Sequence, residues 1–464
     1  MLTVFDRDDR MNRRSFLQVG SLALGGLSLM NLLSAKASAE PRRPILKDRS
    51  VIFLFLHGGP SQIETFDPKM DAPSEFRSVT GEVQTRIPGV TFGGTFPRLA
   101  NLADKLSIVR SYVSGDGNHD IKPVVGRDTF GANLGSIYAR VAGANHPDTG
   151  IPTNVLLLPQ AVDATTRPGT TAFGRFNSTG MLGTAYAPFD PSTGSTLRND
   201  MRLALPMERL NDRRYLLEQL DQVQWSAAER ATSEGIDRVR EQALSTVVGG
   251  VADAFDLSKE DPRTVNAYDT STLIKPENID RRWNNYNNYV DNAKSLGKLL
   301  LLARRLCERG CGFVTVTTNF VWDMHSDINN APVGEGMGYM GVPLDWALSA
   351  FIEDLQARGL SDKILLVCCG EMGRTPRINR NGGRDHWGNL APILFTGGGL
   401  RMGQVIGRST SNGGDAATTP VRIQNVISTI LNQVFEMGEV RLIPGLPREI
   451  AQTMTGWEPI DGLV

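Results

Sequence analysis

The stretch LDWALSAFIEDLQARGLSDKILLVCCGE, residues 344–371, holds a complete helix-to-strand unit. Leu344, Ala347, Leu348, Phe351, Ile352 and Leu355 recur at helical spacing, so one face of the segment is apolar along its length. Gly359 follows where a helix ending in a left-handed residue requires glycine. The run Ile364–Cys369 is then apolar without interruption, the pattern of a strand buried on both faces. Gly370 and a single carboxylate, Glu371, end it.

The same unit recurs outward from this stretch. Leu296, Leu299, Leu300, Ala303 and Leu306 form a second apolar stripe before Gly310, and a strand is expected over Phe313–Thr318. Further short runs lie at Val51–Leu56, Leu106–Val109, Val155–Leu158 and Ile393–Thr396. Helices alternating with buried strands predict an α/β fold with a mostly parallel central sheet sandwiched by helices. Residues from about 160 to 290 are more polar, with a long helical stretch expected from Met207 to about Val248. They read as an insertion or cap on one domain spanning residues 40–464, because candidate site residues lie on both sides of them.

Open sheets of this kind bind ligands beyond the carboxyl ends of their strands, and the scarce histidines gather there. Five occur in 464 residues. His57 closes the first strand in FLFLHGGPSQIETFD, with Asp67 ten residues on. Asp323 and His325 in WDMH follow the strand at 313–318, at a spacing that in an extended chain points both side chains to one side. Glu371 sits one glycine beyond its strand, where a buried anion requires a counter-charge; Arg374 and Arg377 are candidates, and metal ligation is the alternative. Asp385 and His386, between glycines in GGRDHWG, can supply a ligand and its orienting carboxylate. Arg384 beside them is a candidate clamp for an anionic oxygen. Imidazole and carboxylate together suit a divalent metal such as zinc, manganese or iron. For any one histidine alone, an ordinary hydrogen bond is the simpler reading.

The first 39 residues have the form of a twin-arginine (Tat) export signal. Arg13-Arg14-Ser15-Phe16-Leu17 precedes a glycine-diluted apolar run from Val19 to Leu33, followed by Ala37-Ser38-Ala39. The run is shorter than the roughly 20 residues of a membrane span, so no transmembrane helix is expected in the mature chain. Met11 offers an alternative start immediately before the pattern. The signal implies the Tat translocase as a transient partner and a periplasmic or extracellular destination. With 49 basic and 50 acidic residues the chain has no polyanion-binding character, so nucleic acid is not an expected partner. The four cysteines, Cys307, Cys311, Cys368 and Cys369, lie in apolar segments and read as buried free thiols.

Taken together, the export signal, FLFLHGGPSQIETFDPK, WDMH, GEMGRTPRINRNGGRDHWG and GGGLRMGQVIG resemble the DUF1501 family of exported bacterial proteins, over nearly the whole chain after the signal. That family is related to the alkaline phosphatase and sulfatase superfamily. The resemblance implies an alkaline phosphatase-like sheet with divalent metals at its strand ends; zinc, manganese or calcium are the ions it suggests. It implies metal-binding roles for Asp323, His325 and His386. Glu371 stands where that superfamily usually has an Asp-His pair, and His57 or Asp67 stands for its first-strand aspartate. It implies a small-molecule or glycan phosphate or sulfate ester as substrate, with Arg374 and Arg384 on its oxygens. One departure is pronounced. Where the superfamily carries a serine, threonine or modified cysteine nucleophile, this chain has Gly117-Asn118-His119-Asp120, making His119 the candidate at the catalytic position. A non-catalytic exported binding protein that keeps the fold is the alternative.

Overall fold

A computed structural model describes residues 45–192, 209, 251–443 and 446–464. The export signal and nearly all of the helix expected over 207–248 lie outside the described residues. The body of the fold is a seven-stranded sheet: β1 (Ser50–Phe55), β2 (Leu106–Val109), β3 (Asn154–Leu157), β4 (Phe313–Thr317), β5 (Ile364–Cys369), β6 (Ile393–Gly397) and β7 (Gln404–Ile406). Their spatial order is β7-β2-β6-β5-β1-β4-β3. Six strands run in one direction and β6 alone runs against them, antiparallel to both β5 and β2. Parallel neighbours require crossovers, and the helices provide them.

Four helices matter for the site: α1 (Leu134–Ala142), α2 (Tyr286–Glu308), α3 (Val333–Ala357) and α4 (Ile423–Val434). Helices α2 and α3 bury their apolar stripes against Ile52, Leu54, Val314, Val316, Leu366 and Cys368. Helices α1 and α4 contact β1, β3 and β4 as well. Every residue of β4 and β5 is buried, so the unbroken apolar runs in the sequence are those of strands covered on both sides. All four cysteines are buried and free. Among the described residues, no helix is long and apolar enough to cross a membrane.

Helix α3 begins a full eleven residues before the stripe that announces it, and runs through Pro343. Glycines at 334, 336, 338 and 341 leave this part without a helical stripe, and glycine and proline both disfavour helix. Packing explains two of them: a Cβ on Gly336 would stand 2.8 Å from Met324 Sδ, and one on Gly341 would stand 2.5 Å from Thr95 Oγ1. At these two positions close approach to Met324 and Thr95 outweighs local propensity.

A buried ion network joins α2 to α3. Arg304 pairs with Glu260 at 2.9 Å, Glu308 at 2.5 Å and Asp354 at 2.9 Å, while Arg305 meets Glu260 at 2.8 Å. Burial alone would raise the Glu260 carboxyl, but the Arg305 hydrogen bond and the Arg304 charge pull it down to about 2. A carboxyl depressed in the folded state contributes stability above its unfolded value near 4.5 and loses it as pH falls toward 2. Glu260→Ala is expected to cost about 2–3 kcal/mol at neutral pH, because two buried guanidinium groups lose a shared anion. Denaturant titrations of both proteins at pH 7 and pH 3 check this, and the gap between them should narrow at the lower pH.

Candidate metal centre

Three turns that leave the sheet at the same end build the site. After β1 the chain passes through His57-Gly58-Gly59, after β4 through Thr318–His325, and after β5 through Gly370-Glu371. The first two turns are tied together, because Val321 and Trp322 both donate their backbone N–H to His57 O at 3.1 Å. Gly58 adopts φ +116, and a Cβ there would stand 2.6 Å from Asp323 N, so glycine alone admits this approach. Its own N–H donates to Glu371 at 3.0 and 3.2 Å. Two further segments close over these turns. A two-residue antiparallel ladder, Gly373–Arg374 with His386–Trp387, carries His386, and the loop around residues 115–122 carries His119.

The side chains converge on Asp323. His119 Nε2 lies 2.9 Å from His386 Nε2, and each lies 3.3 Å from Asp323 Oδ1. The other carboxylate oxygen, Oδ2, meets His325 Nε2 at 2.9 Å and accepts from Asn330 Nδ2 at 3.3 Å. On the far side of His119, Nδ1 contacts Glu371 Oε1 at 2.9 Å. Glu371 is fully buried and, among the described residues, has no arginine partner; Gly58 N–H and His119 satisfy it. With an ion bound, a proton on Nδ1 shared with Glu371 would leave the Nε2 lone pair for the ion; without one, a protonated Nε2 donates to Asp323.

The electrostatics follow from this crowding. Burial would raise Asp323, but hydrogen bonds from His119, His325 and His386 and the Arg374 charge hold it far below the usual carboxylate range. Burial opposes a charge on His119, yet its bonds to Asp323 and Glu371 raise it on balance. His325 is raised chiefly by its bond to Asp323. His57 is the exception. It is 1% exposed, neither ring nitrogen has a hydrogen-bond partner among the described residues, and Phe55, Phe173, Phe176 and Phe320 surround it with ring centroids 5.0–5.9 Å away. Burial pushes its imidazole down to about 4 despite the pull of Glu371, so it is neutral at neutral pH.

The residues fit a divalent metal. Among the described residues, His119, Asp323 and His386 each offer one ligand atom within 4.8 Å of the others. Ligand atoms held about 2.0–2.1 Å from an ion in tetrahedral geometry stand about 3.3 Å apart, close to the spacing found. The Glu371–His119 contact is the carboxylate-to-imidazole support that metal-bound histidines ordinarily have.

Several expected site residues are placed differently. Glu371 supports His119 instead of reaching the convergence point itself. Asp67 lies in a separate group, with Lys69 at 3.1 Å, Arg110 at 3.4 Å and a hydrogen bond from the Ser409 hydroxyl. Asp385 is exposed and accepts from Asn379 at 3.0 Å, so it does not orient His386. Arg384 cannot serve as an oxyanion clamp: it is fully buried, pairs with Glu64 at 2.9 Å and donates to the carbonyls of Phe76, Arg77, Thr375 and Pro376. Arg374 is equally engaged, by Asp323 at 2.5 Å, Gly59 O at 2.7 Å and the carbonyls of Gly58 and Arg384. It positions Asp323. Conversely, sequence reading passed over Asn330, Phe173 and Phe320; the two aromatics pack on His119 at 5.2 and 4.7 Å. Nothing in their local patterns distinguishes them from ordinary loop residues.

Comparison with known proteins comes at low sequence similarity. A sulfatase from Pseudoalteromonas sp., PsFucS1, is 11% identical with a TM-score of 0.37, covering 93% of this chain and 72% of its own. The phosphonate monoester hydrolase SpPMH from Silicibacter pomeroyi is also 11% identical, with a TM-score of 0.29 and coverage of 83% and 73%. No curated protein matches the sequence. The profile described as "Protein of unknown function (DUF1501)" matches residues 48–437, and the chain therefore belongs to the DUF1501 family.

Proposed function

We propose that this protein is a metal-dependent hydrolase of phosphate or sulfate esters. The observation that carries the metal part is the mutual approach of His119 Nε2, His386 Nε2 and Asp323 Oδ1 to within 2.9–3.3 Å. The ester class rests on the resemblance of the WDMH and RDHWG strings to superfamily motifs. A divalent ion held by these three residues would supply Lewis-acid polarisation of the ester and activation of water. With the ion bound, Glu371 would hold the Nδ1 proton of His119, and Arg374 fixes the angle of Asp323 through a guanidinium locked to three backbone carbonyls. His325 is partly exposed at the edge of the cluster and carries its proton to higher pH than a free imidazole, which suits it to protonate a departing alkoxide. Ser61 is no alternative nucleophile, since its hydroxyl accepts the N–H groups of Ile63 and Glu64 as a helix cap. The reaction is then direct: water oxygen joins phosphorus or sulfur, the bond to the alcohol oxygen breaks, and the alcohol leaves with a proton.

We further infer, from Arg13-Arg14 and the Ala37-Ser38-Ala39 triplet, that the chain is carried by the Tat translocase to the periplasm or beyond. The test of function uses the purified chain. Elemental analysis should find at least one transition metal per chain, and turnover of 4-nitrophenyl phosphate or 4-nitrophenyl sulfate should disappear on chelation and return on metal addition. Metal-free protein, with stability indifferent to chelator, would overturn the metal centre. Bound metal without turnover of either ester would favour a binding protein.

A further inference from the structure

A cleft of about 770 Å³ opens beside the metal centre. That volume lies within the roughly 300–1,000 Å³ range of ligand pockets. Phe173 and Asp120 connect the two: Phe173 lines the cleft and packs on His119 at 5.2 Å, and Asp120 lines it as the next residue in the chain. The lining mixes polar side chains, glycines and the apolar Ile121, Val125, Phe173 and Ala187. Among the described residues, the side chains of Arg175, Asn177, Thr179 and Thr184 have no hydrogen-bond or ion-pair partner.

We propose that this cleft binds an anionic, hydroxyl-rich ligand, the alcohol portion of the ester, which deepens the hydrolase reading and rests on it for the identity of the ligand as substrate. Five lining residues have a matching group on such a ligand, and the Asp120 carboxylate is already paired with Lys122 at 3.3 Å. The amide of Asn177 and the hydroxyls of Thr179 and Thr184 both donate and accept, as ligand hydroxyls do. Phe173 gives a saturated ring an apolar face to lie against. Arg175 offers a planar fork to a carboxylate or sulfate, and its guanidinium is uncommitted, unlike those of Arg374 and Arg384. A ligand in the cleft would therefore be held by its hydroxyls and a second anionic group, with its ester end toward His119.

The probes are a sulfated heparin disaccharide, which is anionic and hydroxyl-rich, and neutral maltose, titrated calorimetrically into the full chain. The disaccharide should bind the parent protein, and maltose should bind at least about tenfold more weakly. Arg175→Ala should weaken disaccharide binding about tenfold or more, the loss of a charge-assisted hydrogen bond. Met181→Ala, an exposed neighbour outside the lining, should leave it unchanged. Both positions are at the surface, so thermal melts should match the parent. No disaccharide binding at millimolar concentration, or binding indifferent to both Arg175→Ala and Asn177→Ala, overturns the proposal. Binding needs no turnover. Arg175-dependent binding in a protein inert toward 4-nitrophenyl esters sustains the cleft while the hydrolase reading falls, and the opposite result removes the cleft alone.

Discussion

Replacing His386 by alanine is expected to weaken metal binding by more than about 100-fold while leaving the apo fold intact. The lower bound comes from supporting residues, whose loss alone costs about 10- to 100-fold; His386 offers a ligand atom directly. Its side chain is 38% exposed, so truncation should cost about 0.5 kcal/mol or less of stability. The two effects separate in one pair of melts. With chelator, parent and variant should unfold together. With zinc or manganese at about 100 times the parent's dissociation constant, the parent should gain about 2.7 kcal/mol and the variant about 0.4 kcal/mol or less. Equal gains would remove His386 from the centre. Glu371→Gln offers the graded comparison: it keeps an acceptor for the His119 Nδ1 proton without the charge, and a loss of about 10- to 100-fold is expected.

Arg384→Ala is expected to act on stability instead of affinity, and strongly. Arg384 and Glu64 are both fully buried, and the arginine also ties the carbonyls of Phe76, Arg77, Thr375 and Pro376. Removing it leaves Glu64 with Ser78 and the N–H groups of Val79 and Thr80 but without its counter-ion, a change costing about 3–5 kcal/mol. Lysine should rescue little, because one ammonium cannot span acceptors that a planar fork reaches from two sides. Urea denaturation measures the loss. A variant as stable as the parent but with a raised KM for an anionic ester would restore Arg384 to the oxyanion role suggested by its place beside Asp385 and His386.

Arg384 also shows where sequence reading reaches its limit. The fold was legible because burial on both faces of a parallel strand leaves a local mark, an apolar run such as Ile364–Cys369 between a helical stripe and a glycine. Antiparallel β6 left no such mark of its direction, since Ile393–Thr396 is as apolar as its neighbours. Placement at strand ends brought Asp323, His325 and Glu371 to one region, and that much follows from topology. Which partner each side chain takes does not. The carboxylate of Glu64 lies 320 residues from Arg384 and inside a short capped helix, so no spacing rule joins them. Asp67 had the right distance from His57 in sequence, yet Lys69, Arg110 and Ser409 satisfy it elsewhere. His119 was legible only as a residue standing where a nucleophile was expected. Its approach to His386 depends on a loop whose path over the sheet edge leaves no periodic signature.

The turns that carry His119, Asp323 and His386 are separated by long intervals of chain and meet only once β1, β4 and β5 are aligned side by side. No single segment, translated or cleaved out alone, contains more than a fragment of the centre. Ion capture is thus a report on global assembly: a nascent or truncated chain cannot scavenge metal through this constellation. An ion that binds only the assembled form in turn withholds that form from unfolding. A metal held here would therefore act as a checkpoint of folding, and its rate of uptake during refolding should follow the slowest step of sheet formation.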